Sequence, residues 1–227
     1  SSAEFSLAIG TLTSGLPYDV FCYDNAGVPT LEFAAWTNTT TRATALVYQD
    51  GILSKLGALT RRSLGTFHTL STTQTADSKT AGRFLWNYYN RVLRNTQGTF
   101  STDRTTTSTS YAELNAEIQN KFILGLAEDC VTISTTGSTS NSNGGNYNGT
   151  AVAFDGTTAE AGLETSTGNA ATGGAKMAVA ISGLKIALAV GYHYATLVGK
   201  VDGNTGTWYS ATAATTSKTY LQLGIMG

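Results

Sequence analysis

Chemistry in a protein needs groups that titrate, attack or bind metal, and this chain offers few of them. Its two histidines, His68 and His193, fall in separate stretches of strand-like character, which favours structural or surface roles. The two cysteines are Cys22, in the apolar run Val20-Phe21-Cys22-Tyr23, and Cys130, just before Val131. Both read as buried thiols, with a bridge between them left open by the sequence. Carboxylates give the one enzymatic option, because a pair of acids can cleave a glycosidic bond. The pairs are Glu113/Glu117 and Glu128/Asp129. Glu113 and Glu117 would share a face of a helix or a strand, where solvated surface charge is the better reading. Adjacent Glu128 and Asp129 would point to opposite faces of a strand, a poor geometry for joint work. A Ser-His-Asp triad assembles from distant segments, so spacing is silent on it. The sequence lacks a Gly-x-Ser-x-Gly elbow, zinc-spaced His/Cys clusters, a phosphate loop and a dinucleotide fingerprint. The expectation is a non-enzymatic protein with no catalytic residue, no metal and no cofactor.

Binding is the stronger option. The run from Phe84 to Val92 is the most aromatic stretch. Read as one strand, it sets Phe84, Trp86, Tyr88 and Asn90 on one face and Leu85, Asn87, Tyr89 and Arg91 on the other. Aromatic side chains with Arg are enriched at interface centres, and Trp and Tyr also stack on sugar faces. Trp86, Tyr88, Tyr89 and Arg91 are therefore the candidate subunit-interface or ligand-contact residues, with a core strand as the bland alternative. Arg61, Arg62, Arg83, Arg91, Arg94 and Arg104 fall in one central segment with few acids. They read as a contact zone for a neighbouring subunit or an anionic partner, or equally as a solvated face.

These residues need a scaffold, and composition points to β-structure. About one residue in six is Thr, which is β-branched and suits a pleated surface, and 25 glycines punctuate turns. Charged residues make up 13% and the formal net charge is −1, which argues against a nucleic-acid partner. The longest apolar run, Leu184 to Val190, is broken by Lys185 and is far too short to insert in a membrane. The chain opens Ser1-Ser2-Ala3-Glu4, without Met or the basic region of a secretory signal, so it reads as part of a longer protein.

Strand signals recur along the chain. Phe5, Leu7 and Ile9 alternate in a first strand, and Tyr18 to Tyr23 form a second. Leu31 to Trp36 and Ala43 to Tyr48 follow, the latter closed by Asp50-Gly51, a hairpin signal. Ser63 to Leu70 alternates. Residues 110–124 fit helix or strand, and their neighbours favour strand. Residues 137–149 and Thr165 to Gly174 read as long polar loops. Lys176 to Ile181, Leu184 to Tyr192, Tyr194 to Val201, Thr207 to Ala211 and Tyr220 to Met226 close the chain as strands. Strands spaced this regularly predict an all-β fold, a sandwich, jelly roll or barrel, as a single domain over residues 1–227.

Several motifs resemble a recurrent module of tailed-bacteriophage fibre and virion structural proteins. They are Leu16-Pro17-Tyr18-Asp19-Val20-Phe21, Asp24-Asn25-Ala26-Gly27, Ala35-Trp36-Thr37-Asn38 and Thr41-Arg42-Ala43-Thr44-Ala45-Leu46 with Gln49-Asp50-Gly51. Thr60-Arg61-Arg62-Ser63-Leu64-Gly65-Thr66 and Arg83 to Val92 complete the N-terminal set. Gly191-Tyr192-His193-Tyr194 and Thr207-Trp208-Tyr209 resemble the closing strands. The resemblance is strong over residues 5–95, looser beyond, and weakest from Ser108 to Gly174. It implies an antiparallel β-sandwich of jelly-roll type, a homotrimer, and a place on the exterior of a phage particle after an N-terminal attachment region. Its expected partners are copies of itself, other virion proteins and a host-surface glycan. Three functions compete: a tail or head fibre domain that binds a host receptor, a capsid cement or decoration protein, and a glycan-degrading tailspike.

Overall fold

Short turns with left-handed residues fold the N-terminal part into hairpins. Ala26 and Gly27 have φ of 53° and 87°, and Asp50 and Gly51 have 51° and 79°. Two successive positive φ values give the turn whose twist matches a β-hairpin. The Asp24 carboxylate secures the first of these turns by accepting the Gly27 N–H at 2.6 Å.

The structure, a computed structural model, describes residues 6–127, 129–168, 172–210 and 218–227. The chain passes through β1 (Pro17–Asn25), β2 (Val28–Ala35), β3 (Leu46–Gln49), β4 (Ile52–Lys55), β5 (Ala58–His68), β6 (Asp77–Ser78), β7 (Gly82–Arg83), β8 (Leu85–Asn87), β9 (Leu93–Thr99) and β10 (Arg104–Thr106). It continues with β11 (Ala112–Glu113), a 3-10 turn at Ala116–Ile118, β12 (Asn120–Leu124), β13 (Val131–Asn141), β14 (Tyr147–Phe154) and β15 (Ala159–Gly168). The last strands are β16 (Met177–Lys185), β17 (Gly191–Val201), β18 (Gly206–Trp208) and β19 (Tyr220–Met226).

Three sheets result. The first has the order β2-β1-β5-β4-β3, with β8 added on β5. The second runs β10-β18-β13-β19-β9, with β16 on β13. The third runs β15-β14-β17-β12-β7-β6, with β11 on β17. Apart from the parallel pairing of β12 with β7, the strands pair antiparallel. The second and third sheets enclose the main core, where Phe122, Leu124, Ile133, Val152, Leu197, Trp208, Leu221 and Leu223 are buried. The expected all-β, sandwich-like fold is therefore present.

Several local expectations differ. Residues 6–16 form no strand, and Phe5 lies outside the described residues. The segment expected as a loop at 137–149 is instead a hairpin of β13 and β14. Its polar residues are buried because they satisfy each other. Asn148 donates to Thr139 Oγ1 and to the Ser140 carbonyl at 2.8 Å, while Asn141 donates to Asn148 Oδ1 at 3.0 Å. Likewise β15 extends to Gly168, through part of the second expected loop, whose residues 169–171 lie outside the described residues. The ambiguous stretch is divided by Asn115, whose side chain caps one 3-10 turn before β12 begins. Ala211, the expected end of a closing strand, also lies outside the described residues.

Candidate contact site

Trp86 is positioned by β8, which pairs with β5 in the register Gly65↔Asn87, Thr66↔Trp86 and Phe67↔Leu85. Gly65 permits this approach, since a Cβ there would strike the Trp86 carbonyl. Across the first sheet the indole lies against Gly125, where any Cβ would enter the ring. The indole N–H donates to Asp129 Oδ2 at 2.8 Å, and Arg91 forms an ion pair with the same carboxylate. The Asp129 side chain is 1% exposed, so this pairing meets the need of a buried charge.

The strand stops at Asn87. Its Oδ1 accepts the N–H groups of Tyr89 at 2.9 Å and Asn90 at 3.0 Å, which turns the chain. The expected alternation therefore holds for Phe84 to Asn87 and fails beyond, where no strand continues. The turn carries Tyr88 and Tyr89 to the surface. Arg62 Nε donates to the Tyr89 hydroxyl at 2.6 Å, with its guanidinium 4.1 Å from the ring centroid. Tyr88 meets Tyr89 edge-to-face at 4.8 Å and donates its hydroxyl to Tyr48 at 3.2 Å. The four candidates are thus divided. Trp86 is buried, Arg91 is held by Asp129, and Tyr88 and Tyr89 join Tyr48 and Arg62 in a surface patch.

A second polar node sits beside the first. Arg42 Nε pairs with Asp19 at 2.9 Å, and its Nη2 donates to the Gly125 carbonyl at 2.8 Å. Thr66 donates to the other Asp19 oxygen at 2.6 Å, and Trp36 stacks under the guanidinium at 4.4 Å. The central arginines are largely matched inside the chain. Arg61 pairs with Glu32, Arg83 and Arg94 converge on Asp77, and Arg104 pairs with Glu117. Burial works to raise the Glu32 pKa, but hydrogen bonds from Lys55 and Arg61 outweigh it and the net shift is downward.

Glu113 and Glu117 do not converge. Glu113 accepts from Thr196 at 2.7 Å and from Gln119 at 2.8 Å, while Glu117 serves Arg104. Glu128 lies outside the described residues. Among the described residues, no group of three or more His, Cys, Asp or Glu is placed to hold a metal ion. Both cysteines are free, and neither is buried: Cys22 is half-buried and Cys130 exposed, because each falls on the outward beat of its local alternation.

The histidines are structural in opposite ways. His68 stacks on Tyr192 at 4.7 Å, and burial pushes its pKa down against a smaller raising by the Gly15 backbone. His193 is also buried, which alone would lower its pKa. Its Nδ1 lies 2.6 Å from Asp155 Oδ2 and its Nε2 lies 2.9 Å from the Ala189 carbonyl, and these contacts raise the pKa overall. Both ring nitrogens thus face oxygen acceptors, an arrangement that favours the imidazolium.

No family model matches the chain, and no curated protein matches it. Several solved structures do match. A structure of the infectious bursal disease virus Gt strain is 12% identical, covering 96% of this chain and 54% of its own, with a TM-score of 0.40. The VP2 subviral particle of infectious bursal disease virus is 10% identical over 96% of this chain and 55% of its own, with a TM-score of 0.38. A Bacillus thuringiensis Cry1Da tryptic core variant is 8% identical over 99% of this chain and 53% of its own, with a TM-score of 0.28. The chain spans about half the length of these three matched chains.

The aromatic run and Arg62, one of the central arginines, were legible in the sequence, but their pairing and the part of Tyr48 were not. Tyr48 and Arg62 come from other hairpins, and only the sheet order brings them to Tyr88 and Tyr89. Asp155 was equally hidden. Its φ of 52° marks a turn, a signal present in Asp155-Gly156, but its bond to His193 is long-range.

Proposed function

We propose that this chain is a non-enzymatic structural domain of a tailed-phage virion, works as a homotrimer, and presents a surface that binds a host receptor. The observation that carries this reading is where the resembling motifs meet. Asp19, Arg42, Thr66 and Trp86 come from four separate motifs and converge on one buried polar junction beside Gly125 and Asp129. Shared residues that build a junction support a shared fold more than a shared reaction. Among the described residues, many acids and arginines are engaged in ion pairs with each other, which supports the non-enzymatic part.

The Tyr48, Tyr88, Tyr89 and Arg62 patch supports self-association. Tyr48 and Tyr89 are 56% and 46% exposed, and nearby Leu85 is 44% exposed. Large aromatics with Arg suit the centre of an interface. Light scattering on the purified chain is expected to give a trimer, and Tyr89→Ala with Tyr48→Ala to give monomer of unchanged fold; a wild-type monomer would refute the assembly. For function, the isolated protein should adsorb to host cells and compete with phage. Absence of both, together with label on the shell faces of intact virions, would favour a capsid decoration role instead.

A further inference from the structure

We infer that the outer face of the third sheet carries a saccharide-binding cleft between Tyr147 and Lys200. This deepens the receptor-binding reading by giving its ligand a chemical class and a place. The cleft has a volume of about 500 Å3, within the range of small-ligand sites. Strand alternation builds it. Tyr147 and Gly149 of β14 point to the same side, with Tyr147 opposite Gly168 and Gly149 flanked by Ser166 and Lys200.

Each wall has a distinct chemistry. Tyr147 is 55% exposed. Its ring rests against Gly168, where a Cβ would sit 2.6 Å from the ring edge, so one side is supported and the ring is held in place. A fixed aromatic face costs little entropy on binding and suits the apolar C–H face of a pyranose. Gly149 forms the floor, where a Cβ would lie 2.9 Å from Lys200 Cγ and 3.2 Å from the Tyr111 hydroxyl. The absent side chain makes room for the Lys200 stem and the Tyr111 hydroxyl, which pack over Gly149 and close that side of the cleft. Asp202 lines the same cleft with one oxygen engaged by the Tyr147 N–H at 2.7 Å, leaving the other to accept from hydroxyls. Lys200 is held 4.5 Å above the Tyr111 ring and supplies a donor. The opposite charges of Asp202 and Lys200 balance, which favours a neutral, hydroxyl-rich ligand over an acidic one. Tyr111 itself stays protonated, because burial and the neighbouring Glu164 push its pKa to about 12.

The test is titration of the full chain with three neutral probes, methyl glucoside, methyl galactoside and N-acetylglucosamine, followed by amide chemical shifts. At least one probe should shift the resonances of Tyr147, Gly149, Lys200 and Asp202, with a dissociation constant of about 1 mM. Tyr147→Ala and Asp202→Asn should each weaken binding about tenfold or more without changing the thermal midpoint, and Ile186→Ala, an exposed position outside the cleft, should leave it intact. Shifts elsewhere, no shift with any probe, or glucuronic acid binding more tightly than the neutral probes would overturn the inference. Host adsorption separates the two ideas. Adsorption unaffected by Tyr147→Ala removes the cleft as the receptor site but keeps the receptor reading. Sugar binding without adsorption keeps the cleft and removes the receptor reading.

Discussion

Asp155→Asn should remove one of two opposing contributions to the pH dependence of stability. His193 sits between Asp155 and the Ala189 carbonyl, and its folded pKa lies above the ordinary 6.5. A raised pKa means that its stabilisation is fully present below pH 6.5 and is lost as pH rises through the folded value. His68 acts the other way. Its folded pKa is lowered, so its contribution is present above 6.5 and is lost as pH falls through the folded value. In the wild type the two slopes oppose each other. Asparagine keeps what else Asp155 does: it tolerates the φ of 52° and still accepts the Tyr194 N–H through Oδ1. Its amide would donate to Nδ1, leaving a neutral imidazole that donates from Nε2 to Ala189. Only the charge is removed. The His193 side chain is 6% exposed and that of Asp155 is 42%, so the pair lies between a buried and a screened one. Its loss should cost about 1–2 kcal/mol at acid pH and much less in alkali. For a chain of this size that is a drop of roughly 2–8 °C in the thermal midpoint. Urea unfolding across pH would then show a variant that gains stability from acid to neutral, driven by His68 near pH 6.5 and by the lowered carboxyls of Glu32 and Glu117 below 4.5. Parallel stability curves for the two proteins, or a His193 ring proton titrating below 6.5, would refute the reasoning.

Three further outcomes test the packing. Arg42→Ala strands the Asp19 carboxylate, whose side chain is 4% exposed, and should cost about 3–5 kcal/mol in urea unfolding. Gly125→Ala drives a methyl into the Trp86 ring and should cost about 1–3 kcal/mol, with a shift in tryptophan emission. Asn148→Ala removes three interior hydrogen bonds, to Thr139, Ser140 and Asn141, and should cost about 1–3 kcal/mol, read from the same unfolding curves.

What was legible in the sequence was local. Asp24 to Gly27 and Asp50-Gly51 carry their turn geometry in residue type, and Tyr220 to Met226 is a strand over those same residues in the structure. The 137–149 segment was misread because Ser, Thr and Asn look like solvent-facing residues by composition. Inside β13 and β14 they form a matched amide and hydroxyl network, and a satisfied polar group is a tolerable core residue. No periodicity reveals a hydrogen-bond partner seven residues away on the next strand. The aromatic run was seen, but its alternation assumed that a strand continues. Asn87 breaks it through a side chain that captures two backbone donors.

The same contrast bears on where function should be sought. Motif residues such as Asp19, Arg42, Thr66 and Trp86 are buried or nearly so, and their polar atoms are spent on one another. They explain how the first sheet docks on the sandwich, since Arg42 reaches the Gly125 carbonyl and Trp86 reaches Asp129 beyond β12. A ligand has no access to them. The exposed rings differ: Tyr89 belongs to the last N-terminal motif but lies past β8 on a surface turn, and Tyr147 lies in the region where the resemblance is weakest. Recognition that must change with its target belongs on such positions, because replacing an exposed Tyr costs the fold little, whereas replacing Asp19 or Trp86 breaks a buried network. The motif then sets the scaffold, and the proposed contact lies at the ring of Tyr147, propped on Gly168 beside Lys200 and Asp202.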